Sequence, residues 1–379
     1  MLKISKDHVP ALDGFRGIAI ILVILSHYGL GKLVPGGFGV NLFFFVSGLL
    51  ITRLLIIEKS QKGAICLKSF YIRRFLRLYP ALIFFTIIGS IYILTLGFNY
   101  FRADEIFSTL FYYRNYLPYV TDYSYPPKEF NVFHIVWSLA IEEHFYIVFP
   151  CLFILLYKRT RLFIGILIAL IAAALLWRIS LIGAHGGLVD YHLQQRIHYL
   201  TDSRFDAMLF GCLMSLLLAS SAGDKIIKNL GNPYVIGLGI GMIILSIAIR
   251  SVAFRESWRY TLQGLAFCML IPPVLHHLAF KKINLFLCSP WLVTIGKLSY
   301  SLYLFHWLGL CVASYYFSYN RTDLPWLVTA TTVTVVLSYI SYNYIEVPTM
   351  ALRKKFGSNV TVPQTGNIDE VGSIALATK

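Results

Sequence analysis

Runs of about twenty apolar residues, separated by short polar, glycine- or proline-bearing stretches, recur from one end of the chain to the other. At 1.5 Å per residue, about twenty residues cross a hydrocarbon core roughly 30 Å thick, so each run predicts a membrane-spanning helix. Ten runs qualify, near residues 10–28, 38–57, 79–98, 133–156, 162–182, 205–222, 233–250, 260–279, 290–313 and 325–346. The expected fold class is an all-α integral membrane protein, a bundle of about ten transmembrane helices. It forms a single domain over residues 1–355, and the polar, aperiodic stretch 356–379 is expected to be a disordered cytoplasmic tail. Lys3 and Lys6 precede the first run, but Arg16 lies within it and no small-residue cleavage site follows. That run therefore reads as a retained helix and not as a signal peptide.

Charge adds an orientation. Lys and Arg number 33 against 18 Asp and Glu, a net charge of +15. Such a balance also suits nucleic acid, but here the cations stand in short clusters between apolar runs, the arrangement that orients a chain in a bilayer. With the N-terminus in the cytoplasm, eighteen Lys and Arg fall in inner loops and nine in outer ones, and both termini lie inside. The lipid bilayer is thus a partner and nucleic acid is not. A soluble globular chain is excluded by 57% hydrophobic and 13% charged residues with mean hydropathy +0.68, since soluble domains carry about 25% charged residues. Six scattered cysteines with no C-x-x-C pair, and histidines without ligand spacing, point to no metal.

Chemistry enters where polar groups interrupt the apolar runs. The first run holds Arg16 and His27, about 16 Å apart along one helix and too distant for a mutual bond. An arginine at this depth is costly unless it faces a cavity or a partner, although near a helix end it can snorkel. The second run contains Gly39-Val40-Asn41-Leu42-Phe43-Phe44-Phe45-Val46-Ser47-Gly48. Its glycines suit close helix packing, and Asn41 and Ser47 are candidate substrate contacts. Arg73, Arg74 and Arg77 share one helical turn, and guanidinium forks suit phosphate oxygens. An interfacial helix explains their charge, though not the choice of arginine over lysine.

The stretch Trp137-Ser138-Leu139-Ala140-Ile141-Glu142-Glu143-His144-Phe145-Tyr146 places two carboxylates and a histidine deep in an apolar segment, which packing does not explain. Adjacent helical side chains point about 100° apart, so at most one carboxylate faces a given cavity. Arg204 and Asp206 open the sixth run, as an ion pair or as substrate contacts. Tyr303 and His306 mark the polar side of the ninth.

In this order, these stretches resemble the acyltransferase type 3 family of integral membrane O-acyltransferases over about residues 8–350. The matching positions are Arg16 with His27, Gly39 to Gly48, Arg73-Arg74 with Arg77, Trp137 to Tyr146, Arg204 to Gly211 and Ser299 to Trp307. The resemblance implies transfer of an acyl group, commonly acetyl, from cytoplasmic acyl-CoA to a carbohydrate or other hydroxyl acceptor outside. Acetyl-CoA would be a co-substrate, with no permanently bound cofactor. It also implies that Arg16 and His27 are essential, and it makes Arg73, Arg74 and Arg77 candidates for contact with CoA phosphates. Asn41 stands where the family often has Asp, and His144 where it often has Gln. Without an appended esterase-like domain the stand-alone form is expected. By resemblance it would act in a bacterial inner membrane on a surface glycan such as lipopolysaccharide O-antigen or an exopolysaccharide.

The expected chemistry starts from a hydroxyl too weakly acidic to attack a thioester unaided. His27 takes its proton as general base, Glu142 or Glu143 orients the ring as in a triad, and Arg16 holds the thioester carbonyl or the pantetheine. Trp137, Arg204, Asp206, Tyr303 and His306, with Asn41 and Ser47, make up the expected substrate-binding set. Direct transfer competes with an acyl-enzyme on His27 or Ser47. A transporter or flippase with no covalent step is the alternative, because intramembrane Arg, Glu and His also mark substrate paths.

Overall fold

The computed structural model describes residues 9–95, 102–120, 131–317, 321 and 323–356, and among these the regular structure is helical with no strand. A helix stands at each of the ten apolar runs. In chain order they are α1 (Pro10–Leu25), α2 (Gly36–Lys62), α3 (Leu67–Thr95), α4 (Trp137–Leu156), α5 (Thr160–Ala184), α6 (Asp206–Ala219), α7 (Pro233–Ala248), α8 (Trp258–His276), α9 (Ser299–Tyr316) and α10 (Leu324–Ile340). Five helical segments are long and apolar enough to cross a membrane, or up to seven when each bent pair counts as one span.

The difference from ten has physical causes. The 3-10 turn Val132–Val136, α4, Tyr157–Arg159 and α5 run on as one 53-residue stretch, although Arg159, at φ −112° and ψ 59°, leaves the helical region. α6 and α8 are followed by helices bent away by 118° and 88°. The ninth run breaks at Leu298, between the short helix Pro290–Lys297 and α9. Residues 357–379 of the expected tail lie outside the described residues.

Local sequence explains several boundaries. Pro10 opens α1, where its missing N–H costs nothing. α2 ends on Gly63, whose φ of 69° is left-handed and whose N–H donates to the Lys59 carbonyl at 3.0 Å.

The polarity of the bundle is inverted relative to a soluble protein. On α3, Ile83, Ile87, Ile91 and Leu94 lie on one outward face and are 40–60% exposed. Arg178, Arg204, Asp206, His306 and Glu346 are inside, none more than 3% exposed. Such a surface is stable against hydrocarbon, where backbone groups must be satisfied within the helices.

α2 and α6 cross in near contact. A Cβ on Gly48 would lie 2.0 Å from the Met208 carbonyl oxygen, and one on Gly211 would lie 2.1 Å from that of Phe45. Backbone approach of this kind is what small residues permit in membrane bundles. Both glycines are therefore explained by packing, and the crossing sets the rotation of α2 that aims Ser47 and Asn41.

Candidate active site

α1, α2, α3, α4 and α9 meet around a cavity of about 30 Å³, room for a water or two. Arg16, Ser47, Arg74, Arg77, Glu142 and Tyr300 face it. Glu142 accepts hydrogen bonds from Ser47 Oγ at 2.5 Å and from the Tyr146 hydroxyl. The Arg74 guanidinium lies over the Tyr146 ring, 4.7 Å from its centre. Of the two adjacent carboxylates, Glu142 is thus the one turned to the arginines. Glu143 Oε1 is buried and accepts no hydrogen bond among the described residues.

The three arginines of α3 divide. Arg74 and Arg77 line the cavity, whereas Arg73 pairs with Glu58 at 2.6 Å and donates to the Phe356 carbonyl at 2.9 Å. One carboxylate thus neutralises one guanidinium.

His27 stands at the other end of the site. It lies on the π-turn Ser26–Leu30 that ends α1, where Tyr28 and Gly29 leave helical geometry. Its Nδ1 is 3.0 Å from His306 Nε2. His306 Nδ1 is 2.6 Å from the Tyr303 carbonyl oxygen, and because a carbonyl only accepts, that nitrogen carries the proton. A neutral His306 then presents a lone pair at Nε2, so His27 donates from Nδ1 and holds its own lone pair on Nε2. Three further contacts brace the pair. The Tyr28 hydroxyl donates to the His306 carbonyl at 2.9 Å, Trp307 meets the His27 ring edge-on at 5.1 Å, and Arg321 donates to the His27 carbonyl at 2.8 Å.

One face of α9 joins the two ends. Tyr300 borders the cavity, Tyr303 bonds Ser138 Oγ of α4 at 2.5 Å, and His306 meets His27. Three residues apart, these groups climb about 9 Å along the helix. Ser138 itself is one turn from Glu142.

The remaining predicted residues form a separate buried network. Asn41 Oδ1 accepts from Arg204 Nη2 at 2.8 Å, and Asn41 Nδ2 donates to Gln263 Oε1 at 2.6 Å. The Arg204 guanidinium lies 3.9 Å from the centre of the Tyr260 ring and 5.6 Å from that of Trp137. Asp206 does not pair with Arg204; its partner is Arg178 of α5, at 2.7 Å with both side chains fully buried. His144 bonds Thr201 Oγ1 at 2.8 Å. These contacts tie α2, α4, α5, α6 and α8 together beside the site and do not line its cavity.

Three residues were not singled out by sequence reasoning. Arg178, a lone arginine in the fifth apolar run, carried a readable signal of the same kind as Arg16. Gln263 and Glu346 are single polar residues whose partners, Asn41 and Ser301, are remote in sequence. The expectation that Glu142 or Glu143 orients His27 is not the arrangement found. Glu142 is bonded to Ser47 and Tyr146, and the group on His27 Nδ1 is His306.

Comparison with known proteins assigns the family. The family model described as "Acyltransferase domain" matches residues 9–343. The O-acetyltransferase OatA of Staphylococcus aureus strain NCTC 8325 / PS 47 is 31% identical over 380 residues, covering 93% of this chain and 58% of the relative. OatA of Staphylococcus aureus strain COL matches to the same extent. The chain thus spans under two thirds of the length of these curated relatives. No solved structure matches it. With nearly its whole length matched, the chain belongs to the acyltransferase-domain family, the type 3 acyltransferases that its motifs resemble.

Proposed function

We propose that this chain is a membrane-embedded O-acyltransferase that moves an acyl group, most simply acetyl, from acyl-CoA to a hydroxyl of an extracytoplasmic carbohydrate such as O-antigen or an exopolysaccharide. It works as a ten-span bundle with both termini in the cytoplasm, in a bacterial inner membrane. The observation that carries this reading is the pairing of an arginine-lined cavity at one end with a histidine dyad at the other, joined along α9. An acyl-CoA has the same polarity, with anionic phosphates at one end and a reactive thioester at the other.

In this scheme the acceptor hydroxyl approaches His27 Nε2, which takes its proton as the oxygen attacks the thioester carbonyl. A C–O bond forms, the C–S bond breaks, and the thiolate leaves with the proton returned by His27. His306 has the positioning role. Its Nε2 accepts from His27 Nδ1 before and after proton transfer, which fixes the tautomer and stabilises the imidazolium. Glu142 lines the cavity together with Arg16, Arg74 and Arg77 and places a negative charge among them. The cavity of about 30 Å³ is too small for a pantetheine arm, so the helices that line it would have to move apart when the donor enters.

The test follows a labelled acetyl group in sealed proteoliposomes that hold extracted glycan. Label bound covalently to the glycan, with one CoA released per acetyl transferred, supports the transferase. Label on the protein in the absence of acceptor assigns an acyl-enzyme. Passage of unmodified glycan across the membrane with no CoA released assigns a carrier.

A further inference from the structure

After α10 the chain turns through Val347–Leu352 into the 3-10 turn Arg353–Phe356, which lies against α3. The tie is the bond from Arg73 Nη1 to the Phe356 carbonyl at 2.9 Å. This turn brings a further arginine to the cluster already described. Arg353 Nε is buried and has no hydrogen-bond partner among the described residues. Burial, and then the charges of Arg77, Arg74 and Arg73, push the Arg353 guanidinium down to about 9. It remains a cation at neutral pH, and the charged groups that bear on it most are all positive.

Guanidinium groups of like charge held together by the fold favour a phosphate, which accepts paired hydrogen bonds from several forks at once. Glu58 is engaged with Arg73. Arg16, Arg74 and Arg77 face the cavity, whereas Arg353 stands outside it on the terminal turn. A ligand threaded from this end toward His27 would therefore meet Arg353 with the part farthest from its reacting group.

We propose that Arg353 is a phosphate-binding residue that completes the arginine site from the C-terminal turn and takes the phosphomonoester at the nucleotide end of CoA. The proposal rests on the acyl-CoA reading above, with the diphosphate left to Arg74 and Arg77.

The experiment compares equilibrium binding of CoA and 3′-dephospho-CoA to the full-length chain in neutral nanodiscs, for the wild type, Arg353→Gln and Arg353→Lys. The wild type should prefer CoA by about tenfold or more, the usual scale of a charged hydrogen-bond pair. Arg353→Gln should bind both ligands alike, at the wild-type affinity for dephospho-CoA, and Arg353→Lys should keep part of the preference. A glutamine variant that retains the full preference overturns the proposal, as does a wild type that binds both ligands equally; in either case the acyl-CoA reading stands. A wild type that binds neither ligand removes both. Should the substitution weaken only the association with anionic lipid vesicles, Arg353 serves a lipid headgroup and the proposal fails.

Discussion

His27 Nδ1 lies 3.0 Å from His306 Nε2, and the Tyr303 carbonyl 2.6 Å from His306 Nδ1 decides which way the proton between the rings is donated. On the proposed reading His306 is a positioning group, not a second base. Replacing it by alanine should lower kcat for acyl transfer by about 10–100-fold, at or below the lower end of the roughly 10²–10⁴-fold that a general base itself contributes. The KM for acyl-CoA, set at the arginine end, should change little. Steady-state kinetics on folded His306→Ala separate the two. A variant with normal kcat and a raised acceptor KM would instead make His306 a substrate contact.

At the arginine end the three α3 residues should not be equivalent. Arg77→Ala and Arg74→Ala remove guanidinium groups that face the cavity and should weaken CoA binding by about 10–100-fold, the worth of one or two charged hydrogen bonds. Arg73→Ala frees Glu58 next to the cluster, and Arg73→Ala with Glu58→Ala should bind CoA better than the single variant. Competition binding with labelled CoA reads all four proteins. Equal losses for Arg73, Arg74 and Arg77 would contradict the division of labour.

The Arg178–Asp206 pair, fully buried at 2.7 Å, is assigned to the scaffold. Arg178→Ala leaves an uncompensated carboxylate inside the bundle and should cost about 3–5 kcal/mol. Arg178→Met with Asp206→Leu removes both charges and should recover most of that loss. Thermal unfolding in detergent measures both. A double variant as unstable as the single one would show that these charges do more than neutralise each other.

Glu256, in the short helix between α7 and α8, supplies a pH dependence. Burial alone would raise its pKa, but His198, Arg259 and the Tyr260 hydroxyl outweigh that and hold it at about 2, below the ordinary 4.5. A carboxylate depressed on folding contributes stability that is complete above its unfolded value and is lost as pH falls toward the folded one. Below the range in which the His198 imidazole loses its proton, the difference in unfolding midpoint between wild type and Glu256→Gln should shrink as pH falls from about 4.5 to 2. A difference that persists unchanged to pH 2 would place the contribution elsewhere.

Much of the site was legible in the sequence, for a physical reason. Arg16, Arg74, Arg77, Glu142 and Ser47 are polar groups in segments that otherwise suit hydrocarbon, and the structure gathers all five around one cavity. Helical spacing showed that only one of Glu142 and Glu143 could face it, but not which. That choice depends on how α4 is rotated against α2, and the bond to Ser47 records the outcome. The His27–His306 pair was not legible as a pair, because its members are 279 residues apart and meet only through the packing of α1 against α9. Asn41, Arg204 and Asp206 looked like substrate groups for the same reason as Glu142. Their partners, Gln263 and Arg178, sit on α8 and α5, and no local spacing points there. The helices themselves were predicted at each apolar run, whereas the breaks at Leu298 and at the bends after α6 and α8 depend on packing.

The central claim is that His27 Nε2 is the base in an acyl transfer, and acceptor-dependent release of CoA from acetyl-CoA tests it most directly. Purified wild-type protein should release CoA only when a hydroxyl acceptor is present, and folded His27→Ala should do so about 100-fold more slowly or less, the scale lost with a general base. A folded His27→Ala protein that releases CoA at the wild-type rate would contradict the account.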